Sequence, residues 1–288
     1  MKRFAVYFLV LFAAVATLAV ALDGLNVRLI RASGGNTACK MERLYANPEP
    51  DEIAIVGSSR ALGNYVPSIL SPRCFDYGVN GMAIGETMSV LEVLSRRETA
   101  SPVIVNLDPW GGFGAEKAVG DYRLAPQSGR LGLLDRVPGV RFFGGLRWNL
   151  VDFLNDRKSV SLVIDRGAKL LKASRTPEEW RVIDGKLEAA RFGGDPEGEG
   201  RFLRVLASFA PRKVYLVVCP CSSGWTARFL GRKELSGLLD RVRGLPNAVV
   251  LDYYGSPDFT DDDFTDPTHF NISGARRFST RLKGDLFR

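Results

Sequence analysis

The sequence predicts an α/β protein built on a parallel, doubly wound sheet of five strands with helices on both faces. Five short apolar segments recur along the chain, helix-compatible segments separate most of them, and glycine or polar residues follow their ends. Short apolar runs of this kind are typical of parallel strands that are buried on both faces. The predicted strands span residues 53–56, 75–79, 103–107, 214–218 and 248–251.

The first strand leads into a helix. Residues 53–56 read Ile-Ala-Ile-Val and end at Gly57, where the chain can turn tightly. Residues 60–70 are compatible with a helix, which Pro67 is expected to interrupt. We therefore expect a strand, a tight turn and a broken helix in that order.

The next two strands flank a second helix. The run at 75–79 is closed by the turn signal Asn80-Gly81, and residues 86–97 place apolar side chains on one helical face. The third strand follows at 103–107. This alternation favours the flavodoxin-like arrangement of a doubly wound sheet.

The regular alternation pauses between about residues 110 and 200. This stretch contains glycine-rich parts and amphipathic pieces at 150–172 and 177–192, for which we expect helices. It forms an insertion, either a cap over the sheet or a long loop with local helices. The helices expected after it span 201–209, 227–242 and 273–286.

The N-terminus predicts the compartment. Two positive residues precede residues 4–22, which carry no charge and are long enough to span a bilayer. We expect a signal anchor, that is a transmembrane helix, over residues 1–23, a tether over 24–51, and an outward-facing α/β domain over 52–288. A cleaved signal peptide ending near 19–21 and a buried helix are the alternatives.

Composition and charge narrow the class of partner. The formal net charge is +7 and the sequence pI is about 9.3, which favours acidic polymers or anionic lipid. The Lys and Arg residues are scattered and form no nucleic-acid-binding module, so nucleic acid is not expected as a partner.

The cysteines do not predict a metal site. They include no Cys-x-x-Cys pair, and the chain has a single histidine, so we expect no metal. The sequence also contains no phosphate-binding P-loop or dinucleotide fingerprint, so we expect no cofactor. Two interpretations remain open: Cys39 pairs with Cys74 in an exported domain, or all four are small buried side chains. The cysteines are Cys39, Cys74, Cys219 and Cys221.

His269 is the only histidine among 288 residues. Asp266 precedes it by three residues in a loop before the last helix. This spacing lets the carboxylate hold one ring nitrogen and leaves the other as a base. A lone histidine is more often structural, and Asn271 or Ser273 can cap the following helix, so part of this segment also has a structural interpretation.

Ser59 is the matching candidate nucleophile. It lies in Gly57-Ser58-Ser59-Arg60, at a predicted strand-to-helix turn. Ser58 and Ser59 taken alone are well explained as helix caps. A serine becomes a nucleophile when a base takes its proton. Because Ser59 and the loop from Asp266 to His269 both follow predicted strands, they are expected at the same sheet edge, where such sheets bind ligands.

Acyl transfer also needs donors for a developing oxyanion. The main-chain N–H groups of Ser59 and Gly81 are the candidates, because both follow strand ends. Asp108 follows the third strand and is a further candidate contact, although a turn residue before Pro109 is its structural interpretation.

These segments together resemble the SGNH, or GDSL-type, hydrolase superfamily, most closely its membrane-anchored envelope branch. The resemblance rests on Gly57-Ser58-Ser59-Arg60, Gly78-Val79-Asn80-Gly81, the end of the third strand and Asp266-x-x-His269. It covers roughly residues 52–109 and 201–288 and agrees with the predicted fold.

The resemblance implies a role for each matched residue. Ser59 corresponds to the nucleophile, His269 to the base, Asp266 to its orienting acid and Gly81 to the oxyanion glycine. Asn80 and Arg60 are then expected beside the oxyanion and substrate. The departure is Asp108, which stands where the family has asparagine; an ionised carboxylate cannot donate to an oxyanion.

The function expected is that of a membrane-anchored serine esterase or O-acyltransferase. Its partners would be an acyl donor, a glycan or other polymer acceptor, the membrane and envelope biosynthesis proteins. The alternative is a non-catalytic envelope assembly protein that retains the fold, which the departure at Asp108 favours.

Overall fold

Strands and helices alternate in the part of the chain that forms the central sheet, as predicted. The computed structural model describes residues 2–33, 37–109, 113, 154, 162–171, 176, 178–179, 182, 192–193 and 195–287. The strands are β1 (Ile53–Val56), β2 (Cys74–Asp76), β3 (Val103–Asn106), β4 (Leu162–Asp165), β5 (Ala168–Leu171), β6 (Val214–Val218), β7 (Ala248–Asp252), β8 (Phe264–Asp266) and β9 (His269–Phe270). The helices are α1 (Lys2–Ser33), α2 (Thr37–Ala46), α3 (Ser59–Asn64), α4 (Pro67–Leu70), α5 (Ile84–Ser95), α6 (Pro196–Ala207), α7 (Ser223–Arg228), α8 (Arg232–Arg243) and α9 (Ile272–Leu286), with a 3₁₀ turn at Asp261–Asp263.

The central sheet is parallel throughout, in the order β2-β1-β3-β6-β7. Counted within the sheet alone, this is the 2-1-3-4-5 order of flavodoxin-like folds. The order reverses between β1 and β3, so the crevice at their carboxyl ends is the expected ligand position. Ser59 and Asp108 follow these two strands.

Helices cover both faces of the sheet. Ala54 and Val56 of β1 join a core with α5, α6 and α8, whereas Ile53 and Ile55 join a second core with α3, α4 and α9. All four side chains of β1 are buried. This two-sided burial explains why the strand sequence is continuously apolar.

The helices that pack on the central sheet between residues 59 and 286 agree with the predicted ones apart from their ends and one break. The helix predicted over 227–242 is divided into α7 and α8, and Gly231 adopts a positive φ of 117° directly before α8. A side chain at Gly231 would lie 2.7 Å from the main-chain nitrogen of Phe192. The close approach of another segment, and not the helical pattern, therefore determines the break.

The prediction of a helix over 150–172 is wrong at residues 162–171. Residues 162–171 form an antiparallel hairpin of β4 and β5. Its two turn residues, Arg166 and Gly167, have φ values of 44° and 91°, as a tight two-residue hairpin turn requires. The turn packs on the edge strand β2, where Asp76 N–H donates to Arg166 O at 2.9 Å. Most of 177–192 lies outside the described residues.

The two ends of the insertion meet in the described part of the chain. Phe113 N–H donates to Gly193 O at 3.2 Å, and the rings of Phe113 and Phe192 contact each other edge to face. The insertion thus begins and ends at neighbouring points. Residues 114–150 lie outside the described part.

The prediction of a tether over 24–51 is wrong for residues 37–46. These residues form α2, which buries Cys39, Lys40 and Leu44 against the domain. Lys40 and Arg43 reach acidic partners in the domain, a contact that a composition-based prediction could not reveal.

The N-terminal helix α1 extends from Lys2 to Ser33, beyond the predicted end at residue 23. Within the described residues, no helix combines the length and apolar character that are needed to cross a membrane, so the predicted transmembrane helix is not found.

The four cysteines are buried, and none of them is in a disulfide. Cys39 and Cys74 therefore form no disulfide, and the alternative of four small buried side chains is confirmed. Burial raises the pKa of Cys219 to about 11 and that of Cys221 to about 12, although Arg60 opposes both shifts. Both thiols remain neutral near pH 7 and act as packing groups and weak hydrogen-bonding groups.

Candidate functional site

A strand-to-helix turn presents Ser59 at the carboxyl edge of the sheet. Gly57 ends β1 with a φ of 154°, and a Cβ there would lie 2.9 Å from Cβ of Asn106. Ser58 caps α3, because its Oγ accepts the main-chain N–H of Arg60 at 3.2 Å. The capping role therefore belongs to Ser58, and the Ser59 hydroxyl points elsewhere.

The Ser59 hydroxyl meets His269. Ser59 Oγ lies 2.8 Å from His269 Nε2. On the other side of the ring, His269 Nδ1 lies 2.8 Å from Asp266 Oδ2 and 2.9 Å from Oδ1. The structure thus brings together the three residues predicted as a triad, each within hydrogen-bonding distance of the next.

Asp266 is held in its ionised form. Its Oδ1 accepts the main-chain N–H groups of Thr268 at 2.9 Å and His269 at 3.0 Å. Burial alone would raise its pKa, but hydrogen bonds and charge from His269, with the two N–H groups, lower the pKa below its ordinary value. An ionised carboxylate only accepts hydrogen bonds, so Nδ1 of neutral His269 carries the proton. Its Nε2 lone pair then faces Ser59.

The chain around His269 is a short hairpin of β8 and β9. Asp266 pairs with His269 in its register, with an irregularity between Phe264 and Asp266. Ser222 N–H, after β6, donates to Pro267 O at 2.9 Å. Asn271 then caps α9 by accepting Gly274 N–H at 3.0 Å, which confirms one of the two predicted caps.

Arg60 lies beneath the site instead of facing an open surface. Its side chain is buried, and its Nη2 donates to Cys219 O at 2.8 Å and Pro220 O at 2.7 Å. Its Nε donates to Thr268 O at 3.2 Å. Burial lowers the pKa of Arg60, but the neighbouring Cys221, Cys219 and Asp108 raise it by more than burial lowers it. The guanidinium therefore stays charged. Arg60 therefore connects the loop after β6 to the loop that carries Thr268. With its donors used in this way, the predicted contact between Arg60 and a substrate is not favoured.

Asn80 and Gly81 lie in an exposed turn after β2. Gly81 has a φ of 71°, and a side chain there would meet nothing within 4 Å. Gly78, at the start of this loop, presses on α3: an added Cβ would lie 2.6 Å from Ala61 Cβ and from Leu62 N. The loop is therefore packed against the helix that carries Ser59, with its tip open to solvent.

A buried ion pair supports this loop from α2. Lys40 Nζ donates to Gly78 O and lies 3.8 Å from Asp76 Oδ1. Asp76 Oδ1 in turn accepts Gly78 N–H at 2.5 Å. Burial lowers the pKa of Lys40 and raises that of Asp76, while the attraction between them opposes both shifts.

Asp108 is surrounded by donors. Asn106 Nδ2 donates to its Oδ1 at 3.0 Å, and Arg60 Nη1 lies 3.7 Å away. Its side chain is 22% exposed, so part of the carboxylate can reach a ligand. With these neighbours Asp108 acts as an acceptor, and it supplies no oxyanion donor.

Two asparagines were not predicted as site residues. Asn106 ends β3, accepts Tyr65 O–H at 3.1 Å and donates to Asp108. Its polar side chain in an apolar strand was an available signal. Asn64 ends α3 and bonds to the chain on both sides of His269. Nothing in the local sequence connects these positions, which are more than 200 residues apart.

No known protein-family model matches this chain, and no curated protein matches it. Its function is therefore inferred from its fold and side-chain geometry.

Proposed function

We propose that this protein is a serine esterase or O-acyltransferase that handles ester-linked acyl groups on an envelope or extracellular polysaccharide. One observation supports this most directly: Ser59, His269 and Asp266 form an unbroken hydrogen-bonded series at the carboxyl edge of a parallel sheet. An accessible serine is reactive only beside a base, and this is the arrangement that acyl transfer requires. The SGNH-type sequence pattern points to the same chemistry.

The first half-reaction acylates Ser59. His269 Nε2 takes the hydroxyl proton while Oγ attacks the ester carbonyl carbon and forms a tetrahedral oxyanion. The imidazolium then gives that proton to the departing alcohol oxygen as its bond to carbon breaks, leaving acyl-Ser59. Asp266 keeps its negative charge throughout, holds the Nδ1–H and stabilises the transient imidazolium.

The second half-reaction decides between the two activities. His269 removes a proton from water or from an acceptor hydroxyl, whose oxygen attacks the acyl carbon. Return of the proton to Ser59 Oγ releases an acid in hydrolysis or a new ester in transfer. Both routes use the same residues and need no redox or metal step.

The Ser59 N–H is the first proposed oxyanion donor. It belongs to the first turn of α3, where N–H groups lack partners inside the helix, and Ser58 already binds the next one. Gly81 is the second, because its open turn follows a loop packed on α3. We assign Asp108 to a sugar hydroxyl of the acceptor, since its exposed part can accept a hydrogen bond.

We also place the enzyme at the membrane, with its domain on the extracytoplasmic side. Residues 4–22 carry no charge and follow two positive residues, and large apolar side chains along α1, such as Phe8 and Leu11, are exposed. A polysaccharide acceptor and envelope biosynthesis partners are consistent with that location. Two measurements on cells that express the full chain test this location. Cell fractionation should find the protein in the membrane fraction, and a C-terminal reporter that is active only outside the cytoplasm should be active.

Covalent labelling of Ser59, whose Oγ displaces fluoride from a fluorophosphonate, tests the proposal. A fluorophosphonate probe should label the wild-type chain, and Ser59→Ala should abolish labelling with the fold intact. Ser58→Ala is the matched control, because it removes the neighbouring hydroxyl and only a helix cap, worth about 0.5–2 kcal/mol. Absence of wild-type labelling under conditions that label a known serine esterase would count against the enzyme.

The competing function is a non-catalytic assembly protein, favoured by the lack of a donor at Asp108. It predicts that cells in which Ser59→Ala or His269→Ala replaces the native protein have the same phenotype as wild-type cells. If both variants, at normal protein levels, instead give the phenotype of cells that lack the protein, catalysis is favoured.

A further inference from the structure

We propose that Asn64 is the residue that positions His269 against Ser59, a role that rests on the proposed function of these two residues. Asn64 has no solvent exposure, and its amide uses both of its ends. Its Nδ2 donates to Thr268 O at 3.1 Å, and its Oδ1 accepts Phe270 N–H at 2.9 Å. The two bonds hold the chain immediately before and after the base.

One helix therefore connects the nucleophile to its base. Ser59 is the first residue of α3 and Asn64 is the last. Arg60 of the same helix also donates to Thr268 O, at 3.2 Å. Movement of the His269 segment relative to Ser59 must break or stretch these bonds, so α3 sets the distance between Oγ and Nε2.

The segment that carries His269 needs such support. β9 has only two residues, and its partner β8 has three. A two-stranded ribbon of this length has little stability by itself. Asn64 supplies an acceptor and a donor at the edge of β9, and thus replaces the hydrogen bonds of a neighbouring strand.

This support has a direct chemical purpose. A serine–histidine hydrogen bond of 2.8 Å works only while Nε2 remains aimed at Oγ. Asp266 controls which ring nitrogen is protonated, but it is part of the same hairpin as His269 and moves with it. The bonds from Asn64 come from the opposite side, the helix of the nucleophile.

The sole histidine makes the test specific. Nitrogen-15 NMR of histidine-labelled full-length protein reports His269 alone, over a pH series. Wild type should show protonated Nδ1 and unprotonated Nε2 in its neutral form. Asn64→Ala should show mixed or exchange-broadened tautomer signals, and its fluorophosphonate labelling should slow roughly 100-fold, since misplacement by about 1 Å has effects of that size.

Ser279→Ala is the matched control. Ser279 is also fully buried, and its Oγ accepts Val66 N–H at 2.7 Å, so this variant also loses a buried side-chain to main-chain bond. It should keep the His269 signals and label within about 3-fold of wild type, because its hydrogen bond is to Val66 and not to residues 268–270. Asn64→Asp keeps the size and the acceptor and serves if Asn64→Ala does not fold; it loses the donor to Thr268 and should also disturb the signals.

Unchanged His269 signals and labelling in a folded Asn64 variant would overturn the inference. Equal changes in Ser279→Ala would also overturn it, because they would reflect general loss of stability. If wild type itself is not labelled, the proposed function fails, yet the NMR comparison still decides whether Asn64 orients His269.

Discussion

Ser59 Oγ lies 2.8 Å from His269 Nε2, although 210 positions separate the two residues along the chain. The parallel sheet explains this proximity, because all of its strands direct their carboxyl ends to one edge. Ser59 reaches that edge after β1, and His269 reaches it after β7, the last strand of the central sheet. The helix α3 then fixes the distance through its contacts with Thr268 and Phe270.

Replacing His269 by Gln should remove the base and retain a side chain of similar size. We expect labelling of Ser59 by fluorophosphonate to slow roughly 100- to 10,000-fold, the usual contribution of general base catalysis. Thermal unfolding should change little, because the side chain is partly exposed. A variant that labels at the wild-type rate would exclude His269 as the base.

Asp266 should make folding stability depend on pH in the acid range. Its folded pKa lies below its unfolded value of about 3.9, so the ionised form is favoured in the native state. Its stabilisation is therefore present above about pH 4 and is lost as the pH falls through the lower folded pKa. Urea unfolding of wild type and Asp266→Asn should show a stability difference that shrinks below about pH 4. A difference that is constant with pH would contradict this assignment.

Lys40 and Asp76 should behave as one coupled pair. Lys40→Met leaves a buried carboxylate unpaired and should destabilise the protein by about 3–5 kcal/mol. The double variant Lys40→Met/Asp76→Asn should lose less than the sum of the single losses, as measured by urea unfolding. Arg243→Met is the control, because its pair with Asp240 is exposed and should contribute about 0–1 kcal/mol. Additive losses at Lys40 and Asp76 would show that the pair is not coupled.

Gly78 and Gly81 should respond differently to alanine. Gly78→Ala places a Cβ 2.6 Å from Ala61 Cβ and Leu62 N, both part of the helix of Ser59. We expect a loss of about 1–3 kcal/mol and slower labelling, because either the loop or α3 must shift. Gly81→Ala meets no atom within 4 Å and should lose only about 1–2 kcal/mol from its positive φ, with labelling nearly retained. Slower labelling in Gly81→Ala alone would reverse this ranking.

The fold was predictable because strands of the central sheet that are buried on both faces have continuously apolar sequences. The β1 sequence Ile-Ala-Ile-Val is apolar at every position because both faces of that strand are covered. The hairpin at 162–171 was missed because its strands are short and only partly buried, and because the Arg166-Gly167 turn carries little sequence signal. The docking of α2 was missed because Lys40 and Arg43 look like surface residues until their acidic partners are located.

For the site, the sequence by itself determined which residue types were present and in what order: a serine after the first strand, one histidine, and an aspartate three residues before it. Only the tertiary structure decided which of them meet. It brought Ser59, His269 and Asp266 into one hydrogen-bonded series, buried Arg60 under the loops, and assigned to Asn64 the contacts around His269. The physical reason is that strand and turn formation depend on neighbouring residues, whereas a contact across 200 residues depends on how every layer of the domain packs.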